Sequence, residues 1–145
     1  MIQLANAVLR VDVLDPVADA ARLGPRFCWG GYVWQVHDAK FGPLLTGPEW
    51  PNPTPSAFNG QGLPESFRHR TLEGQPLTWR GERGVALGAG ELALGPDGAP
   101  RVIGPCVWTI AQQADAIVFT TRHAAAGFRY ELTRSLRLHD RELRS

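Results

Sequence analysis

Phe128-Arg129-Tyr130-Glu131-Leu132-Thr133-Arg134-Ser135-Leu136-Arg137-Leu138 alternates apolar and polar side chains along its length. Phe128, Tyr130, Leu132, Leu136 and Leu138 recur at period two, broken only by Arg134. Arg129, Glu131, Thr133, Ser135 and Arg137 fall between them and make the solvent-side set. A period of two means a strand with one face on a core and the other in water. The run at 116–122 reads as a second strand, with a turn at Ala125-Ala126-Gly127 between the two. A third strand covers 102–111, with Val102, Cys106, Trp108 and Ile110 on one face, and Gln112-Gln113-Ala114-Asp115 turns out of it. Three successive strands with short connections predict an antiparallel meander.

Working outward, 8–13 alternates with Leu9, Val11 and Val13 on one side and Arg10 and Asp12 on the other. That is another half-buried strand. Asp15-Pro16 breaks it, and 17–23 is expected to make a helical turn. Aromatic and β-branched residues dominate 26–37, a strand region in which Gly30-Gly31 signals a bulge or a close backbone approach. Residues 38–42 read as a turn. Strands are expected at 76–80 and 84–94, and Gly95-Pro96-Asp97-Gly98 is a strong turn signal. His139-Asp140-Arg141 reads as a turn, and Glu142-Leu143-Arg144 as the start of a further strand.

Bulk properties bound the class. The 145 residues fit one domain, 43% hydrophobic and 20% charged, an ordinary globular balance. The formal net charge of +1 supplies no global field for nucleic acid or an acidic membrane. Cys28 and Cys106 sit among apolar neighbours and read as buried free thiols. The first residues lack a basic leader region and no stretch is apolar for ~18 residues, so a soluble, cytoplasmic protein is expected. The four histidines are scattered without paired spacing and no Cys-x-x-Cys occurs, so no metal site is expected. No Gly-x-Ser-x-Gly occurs, and Gly88-Ala89-Gly90 opens no helix, so neither a serine hydrolase nor a dinucleotide fold is indicated.

The richest polar stretch is Phe58-Asn59-Gly60-Gln61-Gly62-Leu63-Pro64-Glu65-Ser66-Phe67-Arg68-His69-Arg70. It follows a proline-rich loop, 43–55, that can be neither helix nor central strand. A loop of that length is functional or disordered, and Trp50 within it favours an ordered loop packed over the sheet. The whole region reads as the polar lip of a binding cleft. Asn59, Gln61, Glu65, Arg68, His69 and Trp50 are the candidate substrate-binding residues. Glu65 and His69 have a spacing that would bring them together on a helix, but Pro64 and the glycines argue against a regular helix beginning before it. Arg68 and Arg70 could grip hydroxyls or a phosphate, or could pair at the surface with Glu65 or Glu73. Each of Trp29, Trp34, Trp50, Trp79 and Trp108 could be core or could stack on a sugar ring. Trp50 is singled out by its place in a loop.

Several segments in order resemble the aldose 1-epimerase (galactose mutarotase-like) family. These are Leu9-Arg10-Val11-Asp12-Val13 with Pro25-Arg26-Phe27-Cys28-Trp29-Gly30-Gly31-Tyr32-Val33, Asn59-Gly60-Gln61-Gly62-Leu63-Pro64-Glu65-Ser66-Phe67, Gly84 through Leu92, and Tyr130-Glu131-Leu132-Thr133-Arg134-Ser135-Leu136-Arg137-Leu138. The resemblance implies a large antiparallel β-sandwich of which 1–145 is the N-terminal half. It implies a small-molecule carbohydrate on the sheet's concave face and acid/base ring opening between anomers, with no cofactor. The family's catalytic histidine and glutamate would lie beyond Ser145, so no residue here takes either role. Asn59 stands where many members have histidine, and an amide cannot exchange protons near neutral pH. Two functions remain open: a carbohydrate-binding, epimerase-like protein completed by a second half, and a non-catalytic sugar-binding or assembly module. The second would form a homodimer through the sheet edge and apolar face left uncovered.

Overall fold

The computed structural model describes residues 1–49, 52, 55–67, 72, 73 and 77–145. Among them the chain is mainly β. Strands β1 (Ile2–Ala5), β2 (Leu9–Val13), β3 (Val33–Asp38) and β4 (Gly42–Pro43) form one antiparallel sheet in that order. A second holds β5 (Trp79–Arg80), β6 (Arg83–Ala86), β7 (Gly90–Leu94) and β8 (Pro100–Pro105). The third holds β9 (Trp108–Gln112), β10 (Ala116–Ala125), β11 (Phe128–His139) and β12 (Glu142–Arg144), in the order β12-β11-β10-β9. The expected meander is therefore present as β9–β10–β11.

Strand β11 has the predicted two faces. Leu136 and Leu138 are buried, Tyr130 and Leu132 are half-buried, and the intervening set is exposed. Its turn from β10 has two residues, Ala126 and Gly127, both with positive φ, between the paired Ala125 and Phe128. This is the hairpin turn whose twist matches that of the strands. Leu136, Leu138, Ile117, Phe119 and Trp108 from this sheet share one apolar cluster with Leu4, Leu9, Val11, Val13, Val33 and Val36 from the first. Ala86, Ala89 and Leu92 add the remaining sheet to the same cluster. The architecture is an antiparallel β-sandwich, and both cysteines are buried free thiols within it.

Three expected elements divide differently. The strand expected at 84–94 is a hairpin: β6 and β7 pair with Ala86 opposite Gly90. Gly88 has φ +74 and Gly90 φ +135, conformations that favour glycine. The strand expected at 102–111 is β8 and β9, which lie in different sheets, with Cys106 and Val107 between them. A single apolar alternation cannot reveal that the chain changes sheets where Pro105 withholds an N–H from any ladder. Of 26–37 only the second half is strand, and β1 had no expectation at all. The helical turn expected at 17–23 is the short 3-10 turn Ala20–Arg22.

Gly30 lies before β3 rather than within a strand, and what approaches it closely is the Trp108 side chain and not another backbone. A Cβ there would lie 2.4 Å from the Trp108 ring. Gly30→Ala should therefore cost about 1–3 kcal/mol through overpacking, read as a lower urea midpoint at unchanged slope.

The turn after β3 rests on Asp38, which is 4% exposed. Its Oδ1 accepts from the Lys40 and Phe41 amides at 2.8 and 3.0 Å, and Arg141 pairs with Oδ2. The Lys40 amide foremost, with the Phe41 amide and Arg141, holds its carboxyl below the usual range against the opposing effect of burial. A lowered folded-state pKa gives stability that is present above the unfolded value, about 3.9. That stability disappears as pH falls through the folded value. Asp38→Asn should lower the urea midpoint at pH 7, and the gap to the parent should narrow on going to pH 3.

Candidate functional site

The 55–67 segment is a wall shared by two clefts. It is held down by Tyr32, fully buried with Leu14, Phe27 and Ala57 in a second small cluster. The Tyr32 hydroxyl lies 2.9 Å from the Ala57 carbonyl and 2.8 Å from that of Gln61, so its single proton is shared between two acceptors. Burial pushes the phenol up to about 12, so it remains a donor at physiological pH. Leu63 bridges to Val33, and its amide donates to the Val33 carbonyl at 2.9 Å. Gly62 sits where a Cβ would meet that same carbonyl at 2.3 Å. Phe27 bridges to Ser66 further on.

Glu49 organises the end of the preceding loop. It accepts from the Ser56 amide at 2.8 Å and from the side chains of Asn52 and Asn59. The Ser56 amide first, then Asn59, holds its carboxyl below the usual range. Together with the Leu45–Gln35 pairing, in which the Gln35 amide serves both backbone groups of Leu45, this packs the described parts of the loop on the first sheet.

On one flank of the wall lies a groove of about 540 Å³, lined by Met1, Ala21, Arg22, Trp34, Pro55, Ser56 and Ala57. A β-bulge places Trp34 there. Asp12 pairs with Gln35 and Val13 with Val33, so Trp34 is the unpaired residue between them. Such a bulge re-aims one side chain and bends the strand locally. Val33 still reaches the main core while Trp34 packs half-buried against the small cluster. The Arg22 guanidinium lies over the indole, 4.5 Å from its centroid.

On the other flank is a smaller cleft of about 280 Å³, lined by Cys28, Glu65, Ser66, Phe67, Leu87 and Leu132. Here Arg134, the one break in the apolar face of β11, reaches across to the wall. It pairs with the Glu65 carboxylate at 2.5 Å and donates to the Gly30 carbonyl at 3.4 Å. Burial raises the Cys28 thiol against the opposing pull of Arg134, so it is a poor nucleophile near neutral pH.

The expected site residues divide among these places. Asn59 is exposed with its amide on Glu49, so it braces the loop. Gln61 is buried against Gly47. Glu65 faces the smaller cleft and is held by Arg134. Trp50, Arg68 and His69 lie outside the described residues, as does Arg70. Trp29 and Trp108 are core, and Trp79 packs on Gly84. Trp34, Arg22 and Ser56 were not anticipated as a group. Trp34 carried the general signal of a tryptophan in a strand, but nothing local ties Arg22 to it. Among the described residues no group of three or more His, Cys, Asp or Glu could hold a metal ion. No helix among them is long and apolar enough to cross a membrane.

No protein-family model, curated protein or solved structure matches the chain.

Tyr32→Phe tests the wall. It keeps the ring and removes one buried donor, so it should cost about 1–2 kcal/mol by urea unfolding and speed amide exchange at Gly60 and Leu63. Unchanged exchange there would show that the wall is held by packing alone.

Proposed function

We propose that this chain binds a carbohydrate in the Trp34 groove. The observation that carries the reading is the combination found there. A bulge-displaced, half-exposed indole forms the body of a groove about 540 Å³ in size, and hydrogen-bonding groups stand around it. That volume falls in the range of small-molecule sites. An indole offers a broad apolar face with low conformational freedom, which complements the C–H face of a pyranose. Ser56 accepts from the Phe58 amide at 3.2 Å, which leaves its own O–H to donate to a ligand. Arg22 supplies further donors. The family resemblance of the sequence supports the same ligand class.

The reading is binding rather than ring opening. Interconversion of anomers needs one group to take a proton and another to give one, on opposite sides of the sugar. Of the side chains described in this groove, arginine, serine and tryptophan are not proton-transfer groups near neutral pH. In polarimetry, the approach of fresh α-glucose to its equilibrium rotation should proceed at the buffer rate. An acceleration lost in Trp34→Ala would replace binding with catalysis at this groove.

Calorimetric titration with a panel of neutral and acidic mono- and oligosaccharides tests the reading directly. At least one should bind, and Trp34→Ala should weaken it by at least about tenfold, ~1.4 kcal/mol. The absence of heat with every saccharide would remove carbohydrate as the ligand class.

A further inference from the structure

Arg22 has an arrangement that narrows the ligand. Its guanidinium lies with the ring of Trp34 at 4.5 Å. A guanidinium placed over a ring still has N–H groups that can donate to a ligand beside it. The nearest carboxylate, Asp19, is 3.6 Å from one terminal nitrogen, too far for a hydrogen bond. Asp19 is already engaged elsewhere. Its Oδ2 takes the Asp15 amide at 2.9 Å and the Met1 ammonium at 3.0 Å. Burial pulls its carboxyl up, but the Asp15 amide, the ammonium and Arg22 outweigh that and hold it below its usual value. It stays ionised beside the arginine without closing over it.

The described lining of the groove contains no acidic side chain. An arginine placed over an aromatic ring, whose one internal anion, Asp19, stands 3.6 Å away without a hydrogen bond, keeps donors for a planar two-oxygen acceptor. The charge inventory separates carboxylate from phosphate. One guanidinium faces the groove, the ammonium is held by Asp19, and the Asp19 charge lies just behind. A monoanion is matched by this set, whereas a dianion would leave one charge uncompensated and would face Asp19 as well. Ser56 offers its O–H on the same groove for a neighbouring hydroxyl.

We infer that the Trp34 groove selects an acidic sugar of the hexuronate class, whose carboxylate is gripped by the edge of Arg22 while its ring lies against Trp34 and Ser56. This rests on the reading of the groove as a carbohydrate site and adds the chemical class of the ligand.

Calorimetric titration of the parent and of Arg22→Gln with glucuronate, glucose, glucose 6-phosphate and acetate tests it. Arg22 is exposed, so the variant should stay folded, with a cooperative urea transition whose midpoint lies close below the parent's. Glucuronate should bind at least about tenfold tighter than glucose, as expected for a bidentate charged pair. Arg22→Gln should erase that preference, so that glucuronate and glucose bind the variant alike, whatever loss the two share. Arg22→Lys should restore little of it, because a point charge lacks the fork. Equal affinity for glucuronate and glucose would overturn the inference while leaving a carbohydrate site in place. So would tighter binding of glucose 6-phosphate than of glucuronate, or acetate binding as tightly as glucuronate. Failure of every saccharide to bind would remove both the inference and the carbohydrate reading.

Discussion

One buried hydroxyl ties the irregular half of the molecule to the regular half. Tyr32 lies just before β3, and its phenol ends between the carbonyls of Ala57 and Gln61. Those carbonyls belong to a segment with no ladder of its own, whose buried polar groups need partners. Without that donor, two inward-facing acceptors would lack their shared partner beneath a small apolar cluster. With it, the 55–67 segment becomes a fixed wall, and the clefts on its two flanks acquire definite shapes. The Val33–Leu63 bridge and the Glu49 hub extend the same restraint along the chain.

The bulge in β3 is the second constraint on the groove. Had β2 and β3 kept one register throughout, the residue after Val33 would have continued the alternation. Instead Val13 pairs with Val33 and Asp12 with Gln35. Trp34 is thereby released from the ladder and turned to the small cluster, where Arg22 covers part of its surface. A large aromatic, a cation and a hydroxyl converge there from three separate stretches of chain. On the opposite flank, Arg134 does the reciprocal thing. It interrupts an apolar face in order to hold Glu65 and the Gly30 carbonyl, so the interruption joins the sandwich to the wall.

Much of the β architecture was legible because alternation at period two reports burial directly. The runs around Ile117, Phe119, Leu136 and Leu138 could face a core in only one way. Turn chemistry was equally readable at Ala126-Gly127 and at Gly95 to Gly98, where φ or hydrogen bonding selects small residues. The misreadings were failures of connectivity. Residues 84–94 and 102–111 each contain an apolar alternation that continues across a turn or a change of sheet. The cue to the break is a glycine at positive φ or a proline, which a short window absorbs into the strand. At the site, the described part of the polar stretch lines one cleft through Glu65, Ser66 and Phe67, but the use of its side chains was not legible. Asn59 and Gln61 look like ligand contacts by type, yet one braces Glu49 and the other is packed on Gly47.

By itself, then, the sequence determined the β class, the meander near its C-terminal end and the buried thiols. Each follows from local period or residue size. Tertiary structure alone decided which aromatic reaches a groove, which arginine lies on it and which carboxamides are consumed internally. Those outcomes depend on a bulge, on the meeting of residues 22, 34 and 56, and on one phenol choosing two distant carbonyls. Separation along the chain carries no signal of such meetings, because they are set by how sheets and loops pack and not by the pattern within any one of them.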